Sequence, residues 1–228
     1  MFWLLLACAS ATTDDGLVSL SGNLYSAPVG DPELLSGATL TPYSSSLDPY
    51  DAAKESSAGN YSFRVAPEAL YFLHVQADGA IPSLWQSQAP ELGGLLFPVY
   101  AFSEDAVLPF FEELEAELGE IDTESGESVQ LWGTTRQAMT GEGATIYLDQ
   151  IEVSQAGRQR AVVGYHLEDG ELVRSTSGDP VDWFFSLNLQ PGEVTLSLIH
   201  PYDPTIVDDS VFFPQGGEIV SAFYTQGF

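Results

Sequence analysis

The feature that most constrains this chain is a pattern of short alternating segments that occurs once in each half. Val18-Ser-Leu-Ser-Gly22 is echoed by Val129-Gln-Leu-Trp-Gly133, and each reads as a strand with apolar residues at every second position, ending at a glycine where the chain can turn or bulge. Gly37-Ala-Thr-Leu40 reappears as Gly143-Ala-Thr-Ile146, the expected opening of a second strand in each copy. A repeat of this length implies two modules with separate cores.

The order of later segments also matches. Asn60-Tyr-Ser-Phe-Arg-Val-Ala-Pro67 corresponds to Phe184-Phe-Ser-Leu-Asn-Leu-Gln-Pro191. Period two places Tyr61, Phe63 and Val65 on one buried face, and Phe185, Leu187 and Leu189 on the other copy's equivalent. After each proline a further strand follows, Ala69 to Val75 and Glu193 to Ile199, and the tight connection predicts a hairpin with the strand before it. Each copy closes with a glycine-led strand, Leu96 to Phe102 and Ile219 to Tyr224. Between the copies, Val107, Phe111, Leu114 and Leu118 recur at helical spacing, with Ser103 placed to cap and Gly119 to terminate. Pro109 lies inside this helix, where it kinks the helix or starts its regular part. Glu112, Glu113, Glu115 and Glu117 form its solvated face.

The glycines Gly22 and Gly37, the run Gly59-Asn60-Tyr61-Ser62-Phe63 and Pro67 resemble the carboxypeptidase regulatory-like domain. The second copy retains Gly133, Gly143 and Pro191-Gly192, with Trp183 where the pattern has Gly. The resemblance implies a transthyretin-like, seven-stranded β-sandwich in each half. The fold class expected is therefore mainly β: two tandem transthyretin-like or Ig-like β-sandwiches, over residues 17–102 and 127–228, with one short amphipathic helix and linker over 103–126. These shared motifs are turn and core positions, which speak to fold and hardly to activity.

Composition narrows the function. Six Lys plus Arg against 33 Asp plus Glu leave a net charge of −27, which repels phosphate backbones and argues against nucleic acid as a partner. The single cysteine, Cys8, follows a short apolar run far too brief for a bilayer span of about 20 residues. Leu5-Leu6-Ala7-Cys8 resembles the lipobox of bacterial lipoproteins. That implies a signal peptide over 1–7, a diacylglycerol on Cys8, and a tether over 8–16. Two acyl chains, at about 0.8 kcal/mol per buried CH₂, hold a protein to a membrane far more firmly than one. Ala9 and Ser10 lack the Asp that resembles an inner-membrane retention signal, so the expected location is the cell envelope, at the outer membrane. With Cys8 lipidated, no intrachain disulfide and no thiolate metal site is available.

No residue set carries a reaction. His74, His166 and His200 show no metal-ligand spacing. Transthyretin-like folds also host iron dioxygenases with Tyr and His ligands, but Tyr71 with His74 and Tyr165 with His166 assemble no four-ligand set. There is no nucleophile elbow. Asp179 with Asp182, and Asp203 with Asp208 and Asp209, crowd carboxylates into turn-rich segments without the spacing of a calcium loop. Trp85, Trp132 and Trp183 read as core, while Tyr43 and Tyr50, flanking Ser44 to Ser46, are the least core-like aromatics. The function expected is a noncatalytic, lipid-anchored envelope protein without catalytic, metal or cofactor sites beyond the Cys8 lipid. It would touch an envelope protein or a glycan through loops such as Ser44 to Ser57 and Val153 to Arg160. Tyr43, Tyr50, Asp179, Asp182, Asp203, Asp208 and Asp209 are the candidate binding residues. The alternatives are an envelope hydrolase or metal-dependent enzyme with its site in those loops, and a passive spacer.

Overall fold

A computed structural model describes residues 16–26, 33–50, 54–92, 94–95, 99–122, 126–135, 145–168, 171–199 and 205–224. Cys8, Asp203 and His200 lie outside them, as do Gly143 and residues 96–98. The chain divides into two compact units, 1–113 and 114–228.

In the first unit, β1 (Val18–Tyr25) pairs antiparallel with β4 (Asn60–Val65) and parallel with the short strands β8 (Gly94–Leu95) and β9 (Val99–Tyr100). A second layer runs β3 (Lys54–Glu55), β2 (Thr39–Ser44), β5 (Leu70–Gln76), β7 (Ser83–Gln88). Strands β6 (Ala80–Ile81) and β10 (Phe102–Ser103) form a separate antiparallel pair. The layers enclose one core in which Leu20 and Leu24 of β1 and Phe63 and Val65 of β4 meet Leu40 of β2 and Leu73 and Val75 of β5.

The second unit repeats that plan. Strand β11 (Val129–Thr135) pairs antiparallel with β16 (Trp183–Leu189) and parallel with β19 (Ile219–Tyr224). The facing layer runs β13 (Arg158–Arg160), β12 (Ile151–Gln155), β17 (Val194–Ile199), β18 (Val207–Phe212). Strand for strand, β13-β12-β17-β18 matches β3-β2-β5-β7, and β16-β11-β19 matches β4-β1 with β8 and β9. One element is extra: the hairpin of β14 (Val163–Glu168) and β15 (Glu171–Ser175), which extends the sheet from β16. Both units are β-sandwiches, as the repeat implied.

Four local expectations change. Neither Gly22 nor Gly133 ends its strand; each sits inside it, directly opposite an aromatic residue, Tyr61 and Phe184 respectively. Each glycine is there because a ring lies over it: a Cβ on Gly133 would meet Phe184 Cζ at 1.9 Å, and one on Gly22 would meet Tyr61 Oη at 2.5 Å. The predicted hairpins are also absent. Strand β4 bonds to β1 while β5 bonds to β2 and β7, and β16 bonds to β11 and β14 while β17 bonds to β12 and β18. At each proline the chain arches from one layer to the other, because two strands with inward apolar faces satisfy the same alternation across a core as within a sheet.

The third change concerns the buried face of β16. The register slips by one residue between Val129, opposite Leu189, and Leu131, opposite Ser186. This bulge puts Phe184 and Leu189 in the core, whereas Phe185 is buried on the other face against Trp132, ring centroids 4.8 Å apart, and Tyr165, 5.9 Å apart. The extra residue reverses the phase of the alternation. Asn188 absorbs the irregularity at φ 53°. Its side chain accepts from Asp122 N at 3.0 Å and donates to Glu120 O at 2.8 Å. Fourth, Ile146 does not open a strand: a single 3₁₀ turn, Leu148–Gln150, intervenes before β12, although Ile146 still fills the core.

Helix α1 (Glu104–Leu118) has the expected span and buries Val107, Phe111 and Leu114. It runs through Pro109, which is exposed and forfeits one bond, to the Asp105 carbonyl. Gly119, at φ 89°, ends it with a bond from its N–H to Glu115 O. Glu115 belongs to this stop rather than to a purely solvated face, since Oε1 accepts from Ile121 N at 2.8 Å. No helix among the described residues is long and apolar enough to cross a membrane.

Candidate functional site

Among the described residues, each carboxylate offered as a site residue has a definite place in the framework. Asp179 closes a turn: Oδ2 accepts from Thr176 N at 2.9 Å and from Thr176 Oγ1 at 2.6 Å. The Thr176 hydroxyl, its N–H and, more weakly, His166 hold this carboxyl below its usual range. Asp182 Oδ2 accepts from Leu167 N at 2.9 Å, pinning the extra hairpin to the segment that enters β16. Asp208 and Asp209 are in a strand, not a turn. They lie on β18, opposite Leu198 and Ser197, and successive side chains point to opposite faces, so the pair cannot converge on one ion. Asp209 instead accepts from Ser197 Oγ at 2.6 Å. Strand β18 ends its sheet, where carboxylates oppose edge-to-edge pairing.

Sequence spacing missed one constellation: His166, Ser175 and Asp179 come together on and beside the extra hairpin. His166 Nδ1 is 3.0 Å from Ser175 Oγ, which itself lies 2.6 Å from Pro180 O. A carbonyl only accepts, so the one hydroxyl proton goes to Pro180, and Nδ1–H must be the donor to Oγ. This is the reverse of nucleophile activation, in which the imidazole takes the hydroxyl proton. Ser175 is also buried, at 2% exposure. Among the described residues no cluster of three or more His, Cys, Asp or Glu side chains is placed to hold a metal. His74 lies on β5 of the first unit, apart in the chain and in unit from His166.

The aromatic residues divide similarly. Trp132 is core, 1% exposed. Tyr50 is half-buried against the first core, and its N–H donates to Pro42 O at 2.9 Å. Tyr43 is half-buried on β2, beside a turn in which Ser44 N donates to Asp48 O at 2.8 Å and Leu47 takes φ 63°. The first unit also places Tyr25 and Tyr100 side by side on parallel strands, with centroids 5.8 Å apart, and stacks Trp85 on Tyr100 at 6.2 Å. All three rings are half-buried.

The expected loop Val153 to Arg160 is instead the hairpin of β12 and β13. Ala156 and Gly157, at φ 51° and 71°, form its two-residue turn, the backbone that suits the twist of the flanking strands. Beside it opens a groove of about 610 Å³, between this hairpin and the arch that follows β16. Gln155 ties its two walls: Oε1 accepts from Gln190 N at 2.9 Å and from Arg160 Nη2 at 2.9 Å, and Nε2 donates to Gln190 O at 2.5 Å.

No family model matches the chain, and no curated protein matches it. Among solved structures it is similar to the Bacillus anthracis TIE protein, with 14% identity over 90% of this chain and 33% of that one, TM-score 0.31. It is also similar to a Streptococcal ancillary pilin (12% identity, 93% and 64% covered, TM-score 0.30). A double mutant of the shaft pilin SpaA from Lactobacillus rhamnosus GG gives 11% identity, 93% and 99% coverage, and a TM-score of 0.28. The chain spans a third of the TIE protein and just under two thirds of the ancillary pilin. At these identities and scores the likeness assigns no activity, ligand or partner.

Proposed function

We propose that this protein is a noncatalytic contact protein of the cell envelope, held at the outer membrane by lipid on Cys8, with its two β-sandwich units carrying the binding surfaces. One observation carries the noncatalytic part. The side chains of reactive type that the fold gathers are spent on backbone: Ser175 on Pro180 O, Asp179 on Thr176 N and Asp182 on Leu167 N. Such groups hold turns in place and leave no lone base beside a nucleophile. The carboxypeptidase regulatory-like resemblance, a framework motif, is in keeping with this reading, and the apolar run ending at Cys8 supports the anchor.

Two measurements test it. Cells fed an alkyne fatty-acid analogue should label the protein, Cys8→Ser should abolish the label, and the variant should move from the detergent phase to the aqueous phase. Cross-linking in intact cells should then capture envelope components with the anchored protein. Absence of label on the unaltered chain overturns the anchor. Hydrolysis of ester substrates that Ser175→Ala abolishes overturns the noncatalytic reading.

A further inference from the structure

We propose that the open edge of β18 takes up an extended segment of a partner protein as an added strand, and that this segment carries two adjacent basic residues with apolar residues on either side. This rests on the contact-protein reading above and names the partner's chemistry.

Strand β18 is six residues long, pairs only with β17 and ends its sheet. Its far side therefore presents a row of backbone N–H and C=O groups with no ladder partner among the described residues, a template on which another strand can form. Three other edges are polar. Strand β3 is Lys54-Glu55, β13 is Arg158-Gln159-Arg160, and β4 turns Asn60, Ser62 and Arg64 away from its core. On β18 the alternation puts Val207, Asp209 and Val211 on the outer face and Asp208, Ser210 and Phe212 on the side of the core. Val207 is 46% exposed, with Ile206 at 46% just before the strand and Phe213 at 39% just after it. An edge that only has to avoid pairing gains nothing from apolar side chains in water, whereas a strand laid beside it covers them.

Charge decides which strand fits. Strands β12, β17 and β18 contain no Lys or Arg, and Asp209 stands in one row with Glu152, across Ser197, on the outer face. Asp209 keeps an oxygen for a further donor after accepting from Ser197 Oγ. These carboxylates oppose a second acidic edge, that of another copy included, and favour a basic one. The net charge of −27 acts in the same direction at longer range, drawing a cationic segment toward the chain. Position by position, Val207-Asp-Asp-Ser-Val211 is complemented by apolar, basic, basic, polar and apolar residues in turn.

The test titrates the full chain, in mild detergent, into a fluorescently labelled, end-capped peptide Thr-Val-Ser-Lys-Lys-Val-Thr and follows anisotropy. A second peptide has Glu at both Lys positions, and a third keeps the lysines but is N-methylated along its backbone, so that it cannot extend a ladder. The first should bind, and each of the others at least about tenfold more weakly. Amide hydrogen exchange in β18 should slow on binding, while that in β13, at the other edge of the same sheet, stays unchanged. Asp208→Asn with Asp209→Asn should weaken binding about tenfold. Asp208 makes no side-chain hydrogen bond among the described residues, so Asp208→Asn alone should leave the melting temperature unchanged and still weaken binding severalfold. Undiminished binding of the N-methylated peptide reduces the effect to bulk charge and overturns the added strand. No binding of the first peptide, undiminished binding by Asp208→Asn, or slowed exchange at another edge in place of β18 overturns the proposal as well. If the lipid label and envelope cross-links are present but the first peptide does not bind, this inference alone fails. If the peptide binds but label and cross-links are absent, the envelope reading alone fails.

Discussion

Replacing Gly133 by Ala probes the packing device that the two units share. The position is not one of left-handed backbone, so sterics decide the outcome. A Cβ there would sit 1.9 Å from Phe184 Cζ and 2.2 Å from Cε1 and Cε2. Carbon atoms rest at about 3.5–4.0 Å, so the ring must retreat by roughly 1.5–2 Å. Phe184 is fully buried among Leu131, Leu196 and Val220, and a core at crystal-like density does not yield that far without repacking. Overpacking typically costs about 1–3 kcal/mol, and outright loss of a buried Phe about 3–5. The two ranges meet at about 3 kcal/mol, from which removing glycine's freedom from the unfolded chain returns about 0.4–1 kcal/mol, leaving a net destabilisation of about 2–2.5 kcal/mol. Gly22→Ala should cost about half as much, because its nearest neighbour is the hydroxyl tip of Tyr61. Urea unfolding followed by tryptophan fluorescence measures both. In a Phe184→Leu background, Gly133→Ala should fall below about 1 kcal/mol. The reasoning is refuted if Gly133→Ala stays within about 0.5 kcal/mol of the parent, or if the two substitutions are additive within about 0.5 kcal/mol.

Asn188 tests the bulge: Asn188→Gly keeps the left-handed backbone but loses the bonds to Asp122 and Glu120, at about 1–2 kcal/mol, and Asn188→Ala should cost about 1 kcal/mol more, read as a fall in urea midpoint. Tyr71 is pushed up to about 12 by burial, against a partial lowering by its bond to Ser87. Its raised value means a stability contribution present in full below about pH 10 and lost as pH rises toward 12; Tyr71→Phe should flatten the alkaline limb of a melting-temperature profile. Asp179 has the opposite sign. Its lowered carboxyl contributes above the ordinary carboxylate range and loses that contribution as pH falls through the folded value, so Asp179→Asn should lower the melting temperature at neutral pH and converge with the parent in strong acid.

Much of the architecture was legible because hydrophobic alternation and turn residues act over a few neighbours. The two copies, the alternating segments that open at Val18, Asn60 and Val129, the helix ending at Gly119 and the core places of Leu20, Phe63, Val129 and Leu189 follow from local pattern alone. The site was less legible. Asp208 and Asp209 read as a turn cluster because acidity masks a strand that pairs only through backbone, and Ser175 gave no sign of its bond to Pro180.

By itself, then, the amino-acid order determined a mainly β chain in two repeated halves joined by a helix, since burial of alternating side chains needs no knowledge of distant partners. Only tertiary structure decided which strands share a sheet, because alternation is satisfied equally by arch and hairpin. It alone decided that Phe184 rather than Phe185 faces the second core, through one extra residue in β16. It also gathered Arg158, Arg160 and Glu193 around a single groove, a meeting set by how β13 and the arch after β16 come to lie side by side.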